Sequence, residues 1–396
     1  MPNAVIVDAV RTAGGKRNGK LSGWHPTDLA AEVLKALAER NDLDPTLVDD
    51  VIMGCVMQVG NQGLNIARNA VLGAGWPETV PGTTVDRQCG SSQQSLHFAA
   101  QGVIAGAYDV VVAAGVEVMS TTPMGASITP GSIPFGPSVM ARYAASGGLV
   151  PQGISAELIA DKWGLSRTDL DAFGAQSQQR AVVARDEGRF DNEIIPVKGK
   201  LWDREKNEVV QLDEMVTADE GIREGTTVES LSKLKPAFKP DGKVTAGNSS
   251  QITDGASAAL IMSEEKAAAL GLRPRARLVS FALAGADPIL MLTAPIPATS
   301  KALERAKLTM NDIDITEINE AFASVVLAWE KEHSPDMSKV NVNGGAIALG
   351  HPLGSSGTKL MATLVNELER TGGRYGLQTM CEGGGMANAT IIERLG

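Results

Sequence analysis

Apolar residues along this chain follow two alternating patterns, a helical spacing and short continuous runs. One helical spacing is formed by Leu96, Ala100, Val103, Ile104 and Ala107. The apolar run 110–114 follows it and predicts a strand that is buried on both faces. A second helical spacing is formed by Leu360, Leu364, Val365 and Leu368. Gly372 and Gly373 predict the end of that helix, and residues 376–381 predict the next strand. Each half of the chain is therefore expected to be a parallel α/β unit.

The two halves resemble each other when the chain is shifted by about 265 positions. Residues 43–49 then align with 308–314, and residues 90–92 align with 354–356 at the start of each helix. Val116 and Glu117 align with Cys381 and Glu382 in the strand that follows. Three matches at a nearly constant offset indicate that the α/β unit is duplicated.

The segment between the halves has a different composition. It begins with a stretch rich in Pro, Gly, Ser and Met over 121–148, continues with helical patterns over 154–163 and 168–187, and ends with a charged stretch over 202–229. Long irregular stretches in compact domains are usually lids or binding loops, although a purely structural spacer is the alternative. We therefore predict an N-terminal half over 1–118 plus 247–270, an inserted loop or lid domain over 119–246, and a C-terminal half over 271–396.

Composition and charge exclude several classes of function. The chain has 396 residues, of which 43% are hydrophobic and 21% charged, as is usual for globular proteins. A net charge of −10 argues against a nucleic-acid partner or an anionic membrane surface. No apolar run approaches the ~18 residues of a membrane-spanning helix, and residues 1–8 read as a first strand, not a signal peptide. Three widely spaced cysteines without a CxxC pair predict free thiols in a reducing cytoplasm and no zinc site.

Cys89 is the first candidate for chemistry. It lies between a predicted strand over 83–88 and the helix that begins near Ser91 or Ser92, one of which should cap that helix. The carboxyl ends of parallel strands are where such sheets bind ligands, and a helix N-terminus favours thiolate over thiol. We therefore expect the pKa of the Cys89 thiol to be lowered, with His351 as the base that contributes most. The alternative for Cys89 is a buried small hydrophobic residue.

His351 and Cys381 lie in glycine-rich segments. His351 follows Gly350 in the loop 343–354, where it can move protons near neutral pH, although a structural histidine is the alternative. Cys381 precedes three glycines, which expose a thiol and bare N–H groups. Asn319 ends the strand 315–318, where its amide could hold a water or an oxyanion or merely cap a turn. The chain has no strand–GxGxxG–helix fingerprint, so nothing indicates a nicotinamide or flavin cofactor.

Four segments together resemble the signature blocks of the thiolases. They are residues 86–92 around Cys89, residues 319–323 after the strand, residues 343–354 around His351, and residues 381–385 from Cys381 onwards. The resemblance spans the chain in the family's order. It implies the thiolase fold, in which duplicated βαβαβαββ halves form a five-layer αβαβα core with an inserted loop domain.

The resemblance also implies a role for each site residue. Cys89 is the nucleophile that becomes acylated, and His351 is the base that takes its proton. Cys381 is the second acid and base, which protonates the acetyl-CoA carbanion and deprotonates incoming CoA. Asn319 holds a water that forms one oxyanion hole with His351, and the N–H groups of Cys89 and Gly383 form the other. Alternation along the strand would turn the neighbouring Glu382 carboxylate away from the Cys381 thiol, so we expect little effect on it.

Coenzyme A is implied as a substrate, with no permanently bound cofactor and no metal. Ser250 is assigned to the pantetheine part, Arg223 to the nucleotide end, and Phe322 to the same binding surface. The chain departs from many thiolases at Pro151-Gln152-Gly153, where those have His-Met-Gly beside the acyl pocket. The family's subunits imply a homodimer or a homotetramer.

The activity implied is thiolytic cleavage of 3-ketoacyl-CoA to acetyl-CoA and a shortened acyl-CoA, in fatty-acid or sterol side-chain degradation. A biosynthetic acetyl-CoA C-acetyltransferase is one alternative. A decarboxylating ketosynthase is disfavoured because such enzymes usually have His or Asn at the position of Cys381. A non-catalytic acyl-CoA or sterol carrier is disfavoured because the chain keeps Cys89, His351, Asn319 and Cys381.

Overall fold

The computed structural model describes residues 2–203 and 205–396, so that Met1, the first residue of the predicted opening strand, and Arg204 lie outside the described residues. The strands are β1 Ala4–Thr12, β2 Gly15–Lys16, β3 Asp50–Gly54, β4 Gly82–Val85, β5 Val110–Val118, β6 Ile194–Ile195, β7 Val197–Asp203, β8 Glu208–Val216, β9 Thr253–Ser263, β10 Ala276–Gly285, β11 Ile315–Ile318, β12 Tyr375–Glu382 and β13 Met386–Arg394.

The α-helices are α1 Pro26–Arg40, α2 Ile66–Gly73, α3 Ser91–Ile104, α4 Pro137–Tyr143, α5 Gln152–Lys162, α6 Arg167–Asp186, α7 Val228–Ser232, α8 Glu264–Ala269, α9 Pro295–Ala306, α10 Ala323–His333, α11 Ala346–Leu349 and α12 Ser356–Thr371. The helical patterns predicted over 154–163 and 168–187 are confirmed as α5 and α6. Gly372 ends α12 in the left-handed conformation, at φ 71°, which glycine adopts without strain.

The strand order repeats in the two halves. The first half has the order β4-β3-β5-β9-β1, and the second has β11-β12-β13-β10. In the second half, a parallel bridge joins Thr316 of β11 to Val340. Val340 thus occupies the position beside β11 that β4 occupies beside β3 in the first half. In the first half β5 runs parallel to β3, and β9 returns antiparallel to β5. In the second half β12 runs parallel to β11, and β13 returns antiparallel to β12. The duplication predicted from the sequence is therefore confirmed.

The halves are joined through β1 and β10, where Val5 lies opposite Arg277 and Ile6 opposite Ala276. Three apolar clusters separate the layers. One packs α1 and α2 against the first half's strands, one packs α9 and α10 against the second half's strands, and one between them contains α3 and α12. The result is the five-layer αβαβα arrangement. Because α3 and α12 lie in the middle layer, many of their polar residues are buried, among them Gln93, His97 and Lys359.

The segment between β5 and β9 carries α4 to α7 and the hairpin of β7 and β8, which forms its own two-stranded sheet. The short β6 pairs in parallel with β1 at Arg11 and Thr12. Because β5 ends at Val118 and β9 begins at Thr253, this segment brackets the predicted insertion over 119–246; the domain bounds themselves stay a prediction. Among the helices of the described residues, none is long and apolar enough to cross a membrane.

Candidate active site

Cys89 sits in a tight turn between β4 and α3. The predicted strand over 83–88 is wrong at its end, because β4 stops at Val85 and Gln88 adopts φ 49°. Asp86 Oδ1 accepts a hydrogen bond from the Gln88 N–H at 2.7 Å and holds this turn. The predicted serine cap is also wrong, because Gly90 is the N-cap and Ser91 Oγ donates instead to the Gln88 carbonyl at 2.6 Å. The turn places the Cys89 thiol at the N-terminus of α3.

His351 is held by contacts from three directions. Its N–H lies 3.0 Å from Thr253 Oγ1 and 3.2 Å from the Gln251 carbonyl oxygen. Its Nδ1 lies 2.5 Å from Ser356 Oγ, and that hydroxyl donates to the Pro352 carbonyl at 2.8 Å. A hydroxyl has one proton to donate, so Ser356 accepts from Nδ1–H. The Nε2 atom therefore carries the free lone pair and can act as a base.

Asn319 lies beside that lone pair. Its Nδ2 is 3.4 Å from His351 Nε2, and its N–H donates to the Thr379 carbonyl on β12 at 3.0 Å. Burial, and after it the positive charge of Lys359, lowers the pKa of His351 to about 3. The imidazole is therefore neutral at physiological pH, as a general base must be.

The Cys89 thiol differs from the expectation. Burial, and after it the charge of Glu382, raises the pKa of Cys89 to about 12, against the opposing effect of hydrogen bonds from the N–H groups of Cys89 and Gly383. The predicted lowering of the thiol pKa is wrong for the unliganded protein. Cys89 is only 6% exposed, and desolvation of a thiolate outweighs the modest contribution of a helix terminus. The Cys89 side chain is therefore a thiol at neutral pH, and it could act as a nucleophile only with the help of a base.

Cys381 is fully buried on β12. The pKa of its thiol is raised well above the ordinary value, chiefly by burial, then by the nearby Cys89 and then by Glu382. The expectation that Glu382 has little effect on Cys381 is wrong in part, because its charge reaches both thiols. The Glu382 carboxyl lies against Gly90, where any β-carbon would clash with it. Burial raises the pKa of Glu382 to about 8, against the opposing effect of Arg87.

Cys89 and His351 share one cavity of about 340 Å³. Its other lining residues are Met119, Met124, Gln152, Ala237, Phe238, Ala246, Ser249, Ser250, Gln251, Ile252, Ala321, Phe322 and Leu353. The rings of Phe238 and Phe322 meet edge to face, with centroids 5.9 Å apart. The lining is mostly apolar, which suits an acyl group and the pantetheine arm of a thioester.

Of the predicted site residues, Ser250 and Phe322 also line that cavity, whereas Asn319, Cys381, Gly383 and Arg223 lie outside it. Asn319 lines a smaller cavity behind His351. Cys381 and Gly383 are near enough to influence Cys89 but do not line the larger cavity. Arg223 is exposed, and its backbone N–H donates to Gln178 Oε1 at 2.7 Å. The described residues contain no group of three or more His, Cys, Asp or Glu side chains that could hold a metal ion.

Two supporting residues were missed from the sequence. Ser356 fixes the tautomer of His351, and its only sequence signal is its place at the start of α12. Glu117 accepts hydrogen bonds from the N–H groups of Val56 and Gly354, both at 2.9 Å, and so ties the loop after His351 to the first half. The duplication offers a signal for this residue, since Glu117 is the repeat partner of Glu382.

Sequence models of two known domains match the chain, namely the thiolase N-terminal domain over residues 4–265 and the thiolase C-terminal domain over residues 272–394. A steroid 3-ketoacyl-CoA thiolase, FadA6, of Mycobacterium tuberculosis is 50% identical over 400 residues, covering 100% of this chain and 95% of that protein. A 3-ketoacyl-CoA thiolase of Photobacterium profundum is 46% identical, covering 100% of both chains.

Among solved structures, the acetyl-CoA acetyltransferase of Bacillus anthracis superposes with a TM-score of 0.88 at 39% sequence identity, covering 100% of this chain and 99% of that one. The fold and a paired thiol and imidazole in one apolar cavity indicate an acyltransferase. The chain belongs to the thiolase family. As in that family, coenzyme A is a substrate and no permanently bound cofactor is required.

Proposed function

We propose that this protein cleaves 3-ketoacyl-CoA with coenzyme A, giving acetyl-CoA and a shortened acyl-CoA, through an acyl group carried on Cys89. The observation that carries the proposal is the neutral His351, whose free Nε2 shares a cavity with a cysteine that rests as a thiol. The names of the relatives at 50% and 46% identity support the degradative direction.

The first half-reaction transfers the acyl group to the enzyme. The Cys89 sulfur attacks the 3-keto carbon as Nε2 of His351 takes the thiol proton. The N–H groups of Cys89 and Gly383 stabilise the oxyanion at that carbon, and each such donor typically contributes about 2.7–4 kcal/mol. The bond between C2 and C3 then breaks, and its electron pair passes to the leaving acetyl-CoA. A water held by Asn319, together with His351, stabilises the thioester oxygen of that enolate, and Cys381 gives its proton to the carbon.

The second half-reaction releases the acyl group. The Cys381 thiolate takes the proton of the incoming CoA thiol, and the CoA sulfur attacks the thioester on Cys89. The Cys89 sulfur leaves and regains its proton from His351. Two cysteines are required because Cys89 is covalently occupied while protons must still move. For CoA itself, Ser250 and Phe322 line the cavity, and Arg223 presents an exposed cation suited to the nucleotide phosphates.

The size of the acyl group is the second part of the proposal. Gln152, Met119 and Met124 line the cavity with Cys89 and leave about 340 Å³, which supports acyl groups larger than acetyl. The alternative is a biosynthetic acetyl-CoA C-acetyltransferase, the name carried by the solved relative of Bacillus anthracis. Thiolysis rates across a 3-ketoacyl-CoA series that includes a bulky ring-bearing substrate separate the two. The degradative assignment fails if acetoacetyl-CoA is the best substrate.

Assembly and location complete the proposal. A homodimer or homotetramer is supported by β4, which lies at the edge of the sheet, and by Leu64 nearby, whose side chain is 95% exposed. A cytoplasmic location is supported by the three cysteines, all of which are free.

The acyl-enzyme is tested by mass spectrometry. In the absence of CoA, a 3-ketoacyl-CoA substrate should add one acyl group to the wild-type protein, on the peptide that contains Cys89. Cys89→Ala should accept none and should lose thiolysis. Cys55→Ala is the matched control, because Cys55 is buried and burial raises its thiol pKa further than that of Cys89. Retained thiolysis in Cys89→Ala, or an acyl group on another residue, contradicts the proposal.

A further inference from the structure

Lys359 is a buried cation directly behind the loop that carries His351. It lies on α12 with only 5% of its surface exposed. Its Nζ donates to the carbonyl oxygens of Leu349 at 2.9 Å and Gly350 at 3.0 Å, the two residues that precede His351. Gly350 has φ 80°, and a β-carbon there would clash with Thr253. The ammonium group thus holds a backbone segment whose conformation at Gly350 most other residues could not adopt.

A small polar cavity of about 10 Å³ adjoins the same ammonium group. Asn319 and Ser356, the two side chains that contact the His351 ring, line it together with Lys359 and Glu317. Its size and lining suit one ordered water. Glu317 is fully buried and its Oε1 has no hydrogen-bond partner among the described residues. Burial, and after it the charge of Glu320, raises the pKa of Glu317 well above its ordinary value.

Nearby charges keep Lys359 protonated. Arg11 pairs with Glu193 at 2.6 Å and with Asp219 at 2.7 Å, and these three residues, with Glu317, are the charged groups that act on Lys359. The carboxylates of Asp219 and Glu193 face the two cations Arg11 and Lys359 and favour the charged form of Lys359. The pKa of Lys359 is lowered to about 8, because burial lowers it by more than Asp219 raises it. Lys359 therefore carries its charge at neutral pH.

We infer that Lys359 is a positioning residue for His351, which anchors the backbone before the imidazole and, through its positive charge, opposes protonation of that imidazole. The inference rests on the proposed role of His351 as the base. Among the described residues, Lys359 is the charged group that lowers the pKa of that ring, and its effect is second to that of burial. The same ammonium group therefore holds the loop and adds to the cost of protonating the base.

The test uses three substitutions of Lys359 in the full-length protein. Lys359→Met removes the donor and the charge, Lys359→Gln keeps a donor without the charge, and Lys359→Arg keeps the charge. Lys331→Met is the matched control, because Lys331 also donates to a backbone carbonyl, that of Trp163 at 2.7 Å, but outside the site. Thermal denaturation verifies that each variant is folded.

Two measurements are made. For thiolysis, Lys359→Met should lower kcat by about 100-fold with little change in KM for CoA, because the base is misplaced. For alkylation of Cys89 by iodoacetamide, which needs no turnover, the acidic limb of the pH profile should move to higher pH by about one unit in Lys359→Met and Lys359→Gln. Lys359→Arg should keep the wild-type limb, and Lys331→Met should match the wild type in both measurements.

The outcomes separate this inference from the proposed function. An unmoved acidic limb in both uncharged variants overturns the role of the charge, even if kcat falls. A wild-type kcat in Lys359→Met overturns the anchoring role. A Lys359→Met chain that does not fold leaves Lys359→Gln to decide. A wild-type protein without thiolysis contradicts the proposed function, whereas the alkylation profiles still decide whether Lys359 controls His351.

Discussion

Ser356 offers a sharp test of how His351 becomes a base. Its Oγ is 2.5 Å from Nδ1 and donates at 2.8 Å to the Pro352 carbonyl, so it can only accept from the ring. Ser356→Ala leaves a buried Nδ1–H without a partner. The ring can then move its proton to Nε2, which removes the lone pair that should receive the Cys89 proton.

The magnitude follows from the cost of that orphaned donor. A buried hydrogen-bonding group without a partner costs about 1–3 kcal/mol, and about 1.4 kcal/mol corresponds to a tenfold change in an equilibrium. The reactive tautomer should therefore become about 5- to 150-fold less populated. We expect kcat for thiolysis to fall by about 10- to 100-fold. KM should change little, because Ser356 does not line the cavity that Cys89 shares with the acyl group.

The assay is steady-state thiolysis of a 3-ketoacyl-CoA, with the burst of acyl-enzyme measured in a single turnover. Ser355→Ala is the matched control, since Ser355 Oγ lies 2.8 Å from Ser257 Oγ, whereas the hydroxyl on His351 Nδ1 is that of Ser356. A kcat for Ser356→Ala within about twofold of the wild type, or an equal loss in Ser355→Ala, would refute the tautomer argument.

Two further predictions concern Glu382 and Gly153. The Glu382 carboxyl, with its pKa raised to about 8 by burial, ionises beside Cys89 at higher pH, so alkylation of Cys89 should rise more steeply above pH 8 in Glu382→Gln than in the wild type. The pKa of Glu382 in the folded protein exceeds its ordinary value of 4.5, so the stability of the wild type falls as the pH rises from 4.5 to about 8. The gain in Tm of Glu382→Gln should therefore be larger at pH 8 than at pH 5. Equal gains at the two pH values would contradict this linkage. Gly153→Ala places a β-carbon in the Phe238 ring and should raise KM for bulky substrates most, by about tenfold, because overpacking costs about 1–3 kcal/mol. Gly136→Ala, which meets no atom within 4 Å, is its control, and equal kinetics of the two variants would contradict the clash.

Much of the site could be found from the sequence because its main residues carry local signals. Cys89 follows a predicted strand and precedes a helix, and His351 and Cys381 lie among glycines that few ordinary loops would contain. Their immediate neighbours could not be found in this way. Ser356 is one serine among several at the start of α12, and its contact with the His351 ring depends on how that helix enters the middle layer. Lys359, by its spacing on α12, would be read as a solvent-exposed lysine.

The pKa values of the site also differ between what the sequence predicted and what the structure gives. The helix N-terminus at Cys89 predicted a lowered thiol pKa, whereas the structure raises it, because the middle layer desolvates the sulfur and brings Glu382 towards it. Desolvation and the effect of charges on distant segments depend on which residues become neighbours, and only the tertiary structure decides that.

By itself, the sequence determined the duplicated α/β halves through hydrophobic periodicity and repeated segments, and the family through four short motifs. The same motifs supply the candidates for the reacting side chains, because each motif is a property of a short stretch of the chain. The tertiary structure alone decided which cavity Cys89 and His351 share, which tautomer His351 adopts, and which buried carboxyls and cations set the protonation of the site. These depend on packing two halves that are distant in sequence against one another, and the energies of buried charges are decided by what that packing places around them.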